Sequence, residues 1–144
     1  MNSFEYKQKM NNYIKNILML VLLAVTAYFA HYLVLDGMEL SAFWSQSGYS
    51  LLGMYAVGAV GSLFALVLIM LTNWAMPKNL GFVFLGIMTI KVIAGYIYIR
   101  KGLGVFENDF IEYNFLVVFF LFLFFDVFIA FQALNQEDST VEKK

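Results

Sequence analysis

The chain has 144 residues, of which 62% are hydrophobic and 13% charged, and its formal net charge is −1. Soluble domains carry about 25% charged residues, and a soluble fold of this length could not bury so much apolar surface. The charge balance provides no basic field for nucleic acid. The absence of cysteine excludes disulfides, a thiol nucleophile and a thiolate metal site. A single histidine, His31, also argues against a histidine-built metal centre, and we expect no cofactor.

Four apolar runs are long enough to cross a bilayer as helices, because about 20 residues span its hydrocarbon core. In chain order, a polar N-terminal tail (1–15) precedes one transmembrane domain (16–134), and a charged tail (135–144) follows it. Few apolar residues lie in the last segment, so we predict that it is disordered. The sequence therefore predicts an all-α integral membrane protein, a four-helix bundle. Its predicted spans are 16–35, 49–71, 80–99 and 114–134.

The lysines and arginines beside the spans predict the orientation, because short cytoplasmic loops carry the excess of these residues. With both termini inside, only Arg100 and Lys101 lie outside. We therefore expect cytoplasmic N- and C-termini. The lysines that would then lie inside are Lys7, Lys9, Lys15, Lys78, Lys143 and Lys144.

Two ionisable residues lie deep inside predicted spans, Lys91 in the third and Asp126 in the fourth. A charge in hydrocarbon is costly and therefore rare, unless it pairs, lines a wet cavity or has a function. From the helical rise, Lys91 lies about 14 Å and Asp126 about 18 Å below the same surface, so a lysine stem makes an ion pair feasible. Alternatively, Asp126 is protonated, because burial disfavours a carboxylate. Three interpretations stay open: helix packing, a proton or ion pathway, and docking of another membrane subunit.

His31 lies about one turn inside the outer end of the first span, beside Tyr28 and Tyr32. We interpret it as an interfacial polar residue, with a proton relay as the alternative, since histidine titrates near neutral pH. No second histidine or carboxylate at helical spacing supports a metal site.

Small residues at helical spacing mark one face of the second span, where they permit close approach of another helix. We expect a packing face within the bundle, with oligomerisation or docking as the alternative. Its residues are Gly53, Gly58, Gly61, Ser62 and Ala65. In the fourth span, the row of Asp126, Ala130 and Ala133 is expected to face inward. The phenylalanines of that span are expected to face lipid: Phe115, Phe119, Phe120, Phe122, Phe124, Phe125, Phe128 and Phe131.

No motif of catalysis is present: the chain lacks a Walker loop, HExxH and GxSxG. The loops are also too short for a catalytic domain outside the membrane. We therefore expect no enzyme activity.

The short basic tail, four spans in a chain of this length, cytoplasmic termini and the lysine in the third span together resemble the ATP synthase subunit I family. The segment IKVIAGYIYIRKG is also similar to flavobacterial four-helix proteins associated with ATP synthase operons. The resemblance implies a bacterial inner-membrane accessory protein that assists assembly or stability of the rotor ring. It also implies that Lys91 and Asp126 contact rotor helices or assembly intermediates.

The partners we expect are therefore membrane lipid and ATP synthase membrane-sector subunits, and no nucleic acid. A small homo-oligomeric transporter or ion conductor that uses Lys91 and Asp126 is the alternative. Transporter folds often contain internal repeats, and we find none between the first and second pairs of spans.

Overall fold

Helices make up almost the whole chain in the structure, a computed structural model that describes residues 3–142. Within that range, the side chains at positions 6, 9 and 136–142 lie outside the described part, and 3–142 contains no strand. Every regular element within 3–142 is a helix, so the all-α prediction is confirmed. Four of these helices are long and apolar enough to cross a membrane. The elements are α1 (Ser3–Gly37), α2 (Phe43–Ser47), α3 (Leu51–Ala75), a 3-10 turn (Pro77–Asn79), α4 (Leu80–Ile99) and α5 (Phe110–Glu142).

The first and last helices extend beyond the predicted spans. α1 begins at Ser3, inside the segment 1–15 predicted as a polar tail, and α5 continues to Glu142, through most of the segment 135–144 predicted to be disordered. Neither extension contains a proline or glycine, so nothing in the sequence interrupts the backbone hydrogen bonding. The span limits within these helices stay predictions.

Local signals explain where α3 begins and ends. The Ser50 side chain caps its first turn by accepting a hydrogen bond from the main-chain nitrogen of Gly53 at 2.9 Å. The helix ends at Ala75, two residues before Pro77, the only proline of the chain. Proline has no N–H and cannot continue a helix, so the predicted break between the second and third spans is confirmed.

α3 and α5 form the centre of the bundle. α3 packs against α1, α4 and α5, and α4 also packs against α5. The buried apolar residues lie mostly on α3 and α5, whereas α1 buries few side chains, among them Leu20 and Leu35. In a bilayer, lipid tails cover the remaining apolar faces of α1 and α4, because those tails are as apolar as leucine.

Two of the eight phenylalanines that the sequence predicts to face lipid are buried. Phe122 is 1% exposed and Phe125 is 6% exposed. The Phe122 ring lies against Gly58 of α3 and meets the Tyr55 ring edge-on, with centroids 6.0 Å apart. The prediction was therefore wrong for both residues. Phe122 is buried because α3 presents a glycine where its ring needs space. The inward row is buried as predicted: Asp126, Ala130 and Ala133.

Polar side chains join the helices at the end that holds the N-terminus. Asn16, which is 3% exposed, donates from Nδ2 to Gln132 Oε1 at 2.9 Å and links α1 to α5. Asn73 Nδ2 donates to the Tyr13 hydroxyl at 3.2 Å and links α3 to α1. Sequence reasoning placed Asn16 at a span limit and assigned no role to these bonds.

We expect Asn16→Leu and Gln132→Leu to be coupled by about 0.6 kcal/mol, a typical value for hydrogen bonds between membrane helices. A double-mutant cycle on the free energy of unfolding in bicelles measures this coupling. Additive effects of the two substitutions would contradict a hydrogen bond that contributes to stability.

Candidate functional site

The two intramembrane charges lie in direct contact. Lys91 of α4 donates from Nζ to Asp126 Oδ2 of α5, forming an ion pair. The same Nζ donates to Ser62 Oγ of α3 at 3.3 Å. Three helices therefore meet at one polar site, and α3 contributes a residue that the sequence predicts only as part of a packing face.

The two partners of this ion pair differ in exposure. The Asp126 side chain is 1% exposed, whereas the Lys91 side chain is 14% exposed. Asp126 Oδ1 has no hydrogen-bond partner within the described part of the chain. Lys91 is therefore the principal hydrogen-bond donor to the buried Asp126 carboxyl group. Of the two side chains, only that of Lys91 reaches the surface of the bundle.

Lys91 lines a cavity of about 90 Å³ between α3, α4 and α5. We name it the Lys91 cavity, and Lys91 is the only charged residue among its described lining residues. Val57 and Ala94, which also line it, are exposed, so the cavity opens on the outer surface of the bundle. The full lining is Met54, Val57, Gly58, Gly61, Lys91, Ala94, Gly95, Tyr98, Phe115, Val118, Phe119 and Phe122.

Two glycines of the predicted packing face differ in the space around them. A Cβ placed on Gly58 would lie 2.4 Å from Phe122 Cδ2, far inside van der Waals contact. A Cβ placed on Gly61 would lie 3.5 Å from Lys91 Cε, which is an ordinary contact distance. Close approach of α5 therefore requires a glycine at position 58, whereas position 61 has room for a methyl group.

The other residues of that face are also used inside the chain. Ser62 is 0% exposed and Ala65 is 1% exposed, and Ser62 binds the Lys91 ammonium group. A Cβ on Gly53 would lie 2.9 Å from the capping Ser50 Oγ and 3.4 Å from the Tyr98 hydroxyl. Gly58, Ser62 and Ala65 thus lie among the neighbouring helices of the same molecule.

His31 points into the bundle and touches two other helices. Its Nδ1 lies 3.1 Å from the Tyr55 hydroxyl of α3, and its Nε2 lies 2.6 Å from Asn114 Oδ1 of α5. Sequence reasoning missed both partners. The helical spacing of α5 could have identified Asn114. Asn114, Val118, Phe122 and Asp126 follow one another at intervals of four residues, so they share one face of the helix, and that face is buried.

An apolar layer separates the His31 site from the Lys91 site. Residues 115–125 of α5 are all apolar, and so are residues 56–61 of α3. The buried Phe122 ring stands in this layer, between Tyr55 on one side and Asp126 one helical turn away on the other. A relay through His31, the alternative interpretation of this residue, therefore lacks a polar connection to the buried ion pair along these helices. Among the described residues, no group of three His, Asp or Glu side chains could hold a metal ion.

Four helices that are long and apolar enough to cross a membrane indicate a multi-pass membrane protein. Its buried ion pair forms a charged site between the helices. No family model matches the chain, and no curated protein or solved structure matches it either. The role of the site has to follow from its own chemistry.

Proposed function

We propose that the chain is a non-catalytic accessory protein of the bacterial inner membrane, with both termini in the cytoplasm. In this proposal it binds another membrane complex and assists the assembly or stability of that complex. We propose the rotor ring of ATP synthase as that complex, because the sequence resembles the ATP synthase subunit I family. The observation that carries the proposal is the Lys91 side chain, which is 14% exposed and lines a cavity open to the outer surface of the bundle.

A lysine side chain that is partly exposed beside an open cavity favours a protein neighbour. Exposure of a cation to hydrocarbon is costly, and a partner helix with a hydrogen-bond acceptor at this depth lowers that cost. Ala94 and Gly95, one turn along α4 from Lys91, present little side chain and allow the partner backbone to come close. An apolar cavity of about 150 Å³ can admit a benzene ring, so the 90 Å³ here suits a smaller aliphatic side chain.

Ion conduction by a homo-oligomer has weaker support. A conducting path needs polar groups or water along its length, because an ion in hydrocarbon is costly. The apolar run 115–125 on α5 provides no such groups between Asp126 and Asn114. A buried ion pair beside an apolar cavity is better suited to hold a helix than to pass an ion.

The proposal predicts that Ala94→Leu weakens partner binding without unfolding the protein. Ala94 is exposed, so leucine is tolerated in the free protein but occupies the mouth of the Lys91 cavity. We expect recovery of the partner to fall about tenfold or more, which corresponds to roughly 1.4 kcal/mol. Affinity purification of the tagged protein in a gentle detergent, with mass spectrometry and native mass, provides the measurement.

Ala56→Leu is the matched control, because Ala56 is also exposed but lies outside the lining of the cavity. It should retain the partner at the parent level. Equal recovery with both variants would contradict docking at the Lys91 cavity. A clean homo-oligomer without ATP synthase subunits would contradict the accessory role, and ion-flux assays in liposomes would then test the alternative.

A further inference from the structure

We infer that His31 is a proton-binding site, held by Asn114 as the Nε2–H tautomer and able to take up a proton at Nδ1. The site lies near the end of the bundle that holds the α1–α2 and α4–α5 connections. It is independent of the Lys91 cavity and of the function proposed for it.

The tautomer follows from the orientation of the Asn114 side-chain amide. Asn114 Nδ2 lies 2.7 Å from the main-chain oxygen of Phe110, which can only accept a hydrogen bond, so the NH2 group must face Phe110. The Asn114 Oδ1 atom is thereby turned to His31 Nε2, at 2.6 Å. An amide oxygen also only accepts, so Nε2 must carry a hydrogen. A buried backbone carbonyl thus selects the protonated nitrogen of an imidazole on another helix.

The remaining ring nitrogen, Nδ1, can change its protonation without losing its partner. In the neutral ring, Nδ1 accepts a hydrogen bond from the Tyr55 hydroxyl at 3.1 Å. When a proton binds, Nδ1–H donates to the Tyr55 oxygen, and the Tyr55 hydrogen turns to the main-chain oxygen of Ala27 at 3.3 Å. One proton is added, and the tyrosine keeps its own. Each of these groups is hydrogen-bonded in both the neutral and the protonated state of the ring, so protonation leaves no buried polar atom without a hydrogen-bond partner.

The groups around the ring are neutral. Tyr55 faces it from α3 and Asn114 from α5, and Tyr28 and Tyr32 stand beside it on α1. No carboxylate oxygen lies within 4.0 Å of either ring nitrogen in the part of the chain that the structure describes. The proton is therefore held by charge-assisted hydrogen bonds to neutral groups, which are stronger than those of the neutral ring.

The apolar layer at Phe122 makes this a site for binding a proton and not a step in a relay. The His31 side chain is half-buried and lies near the end of the bundle that holds the α1–α2 and α4–α5 connections, so we expect its proton to be exchanged at that end.

Nuclear magnetic resonance can test this directly, because His31 is the only histidine. In protein labelled with ¹⁵N-histidine and reconstituted in bilayers, we expect a single imidazole with protonated Nε2 and bare Nδ1 under alkaline conditions. Acidification of the sample should protonate Nδ1 reversibly, and a ring that stays neutral in acid would overturn the inference. Spin labels on α1 and α3 should report an unchanged separation. A predominant Nδ1–H tautomer in the alkaline sample, or departure of α1 on acidification, would overturn the inference.

Two variants test the source of the tautomer. Asn114→Leu removes the acceptor of Nε2–H, so the Nδ1–H form, which can donate to Tyr55, should appear. Tyr28→Phe is the control, since this neighbouring phenol makes ring contacts but has no hydrogen bond in the His31 network. An unchanged tautomer in Asn114→Leu would refute the role of Asn114. The parent spectrum stays decisive if that variant does not fold.

Discussion

Asp126→Asn is expected to lower the free energy of unfolding by about 3 to 5 kcal/mol, because breaking a buried ion pair leaves an uncompensated charge. The Lys91 ammonium group would retain Ser62 Oγ at 3.3 Å and lose its counterion. The Lys91 side chain is only 14% exposed, so solvent can compensate the unpaired charge little. Reversible unfolding in bicelles, for example by steric trapping, measures the change.

The double variant Lys91→Met, Asp126→Asn distinguishes the contribution of the ion pair to stability from that of the side-chain shapes at the site. Methionine replaces the lysine stem with an apolar chain, and asparagine replaces the carboxylate with a neutral group of similar size. Most of the lost stability should return, since removing both charges is often neutral or stabilising. Asp109→Asn, the same substitution in an exposed loop, should change stability by less than about 0.5 kcal/mol. Parent-like stability of Asp126→Asn would mean that the ion pair does not contribute.

Gly58→Ala should destabilise the protein by about 1 to 3 kcal/mol, as other overpacking substitutions do. The new methyl group would lie 2.4 Å from Phe122 Cδ2, and that ring is 1% exposed and cannot move aside freely. Gly61→Ala, on the same helix, should stay within about 0.5 kcal/mol of the parent. Its methyl group would meet Lys91 Cε at 3.5 Å.

The two glycine variants are best compared by unfolding under identical conditions. Any general preference of the helix for alanine over glycine affects both equally, so the difference between them reports the Phe122 contact. Phe122→Leu combined with Gly58→Ala should recover part of the loss, because the smaller side chain leaves space. Equal effects of Gly58→Ala and Gly61→Ala would show that α3 and α5 do not approach each other as described.

Much of the fold could be predicted from local rules. Apolar run length predicts the four candidate spans, and Pro77 predicts the break between α3 and α4, since both depend on neighbouring residues alone. The contact between Lys91 and Asp126 was foreseeable as feasible because helical rise is regular, which made their depths comparable by counting residues. The role of Phe122 was not foreseeable, because its burial depends on Gly58 of another helix.

What the sequence by itself determined is the class of the protein, its helices and the depth of its charged residues along each helix. Only the tertiary structure decided how each helix is rotated about its axis, which is why Asn114 meets His31 and Ser62 meets Lys91. In a soluble helix, an apolar stripe would have indicated that rotation. Helices that face lipid on one side and protein on the other are apolar all round, so rotation follows from the packing of small residues and polar contacts between helices.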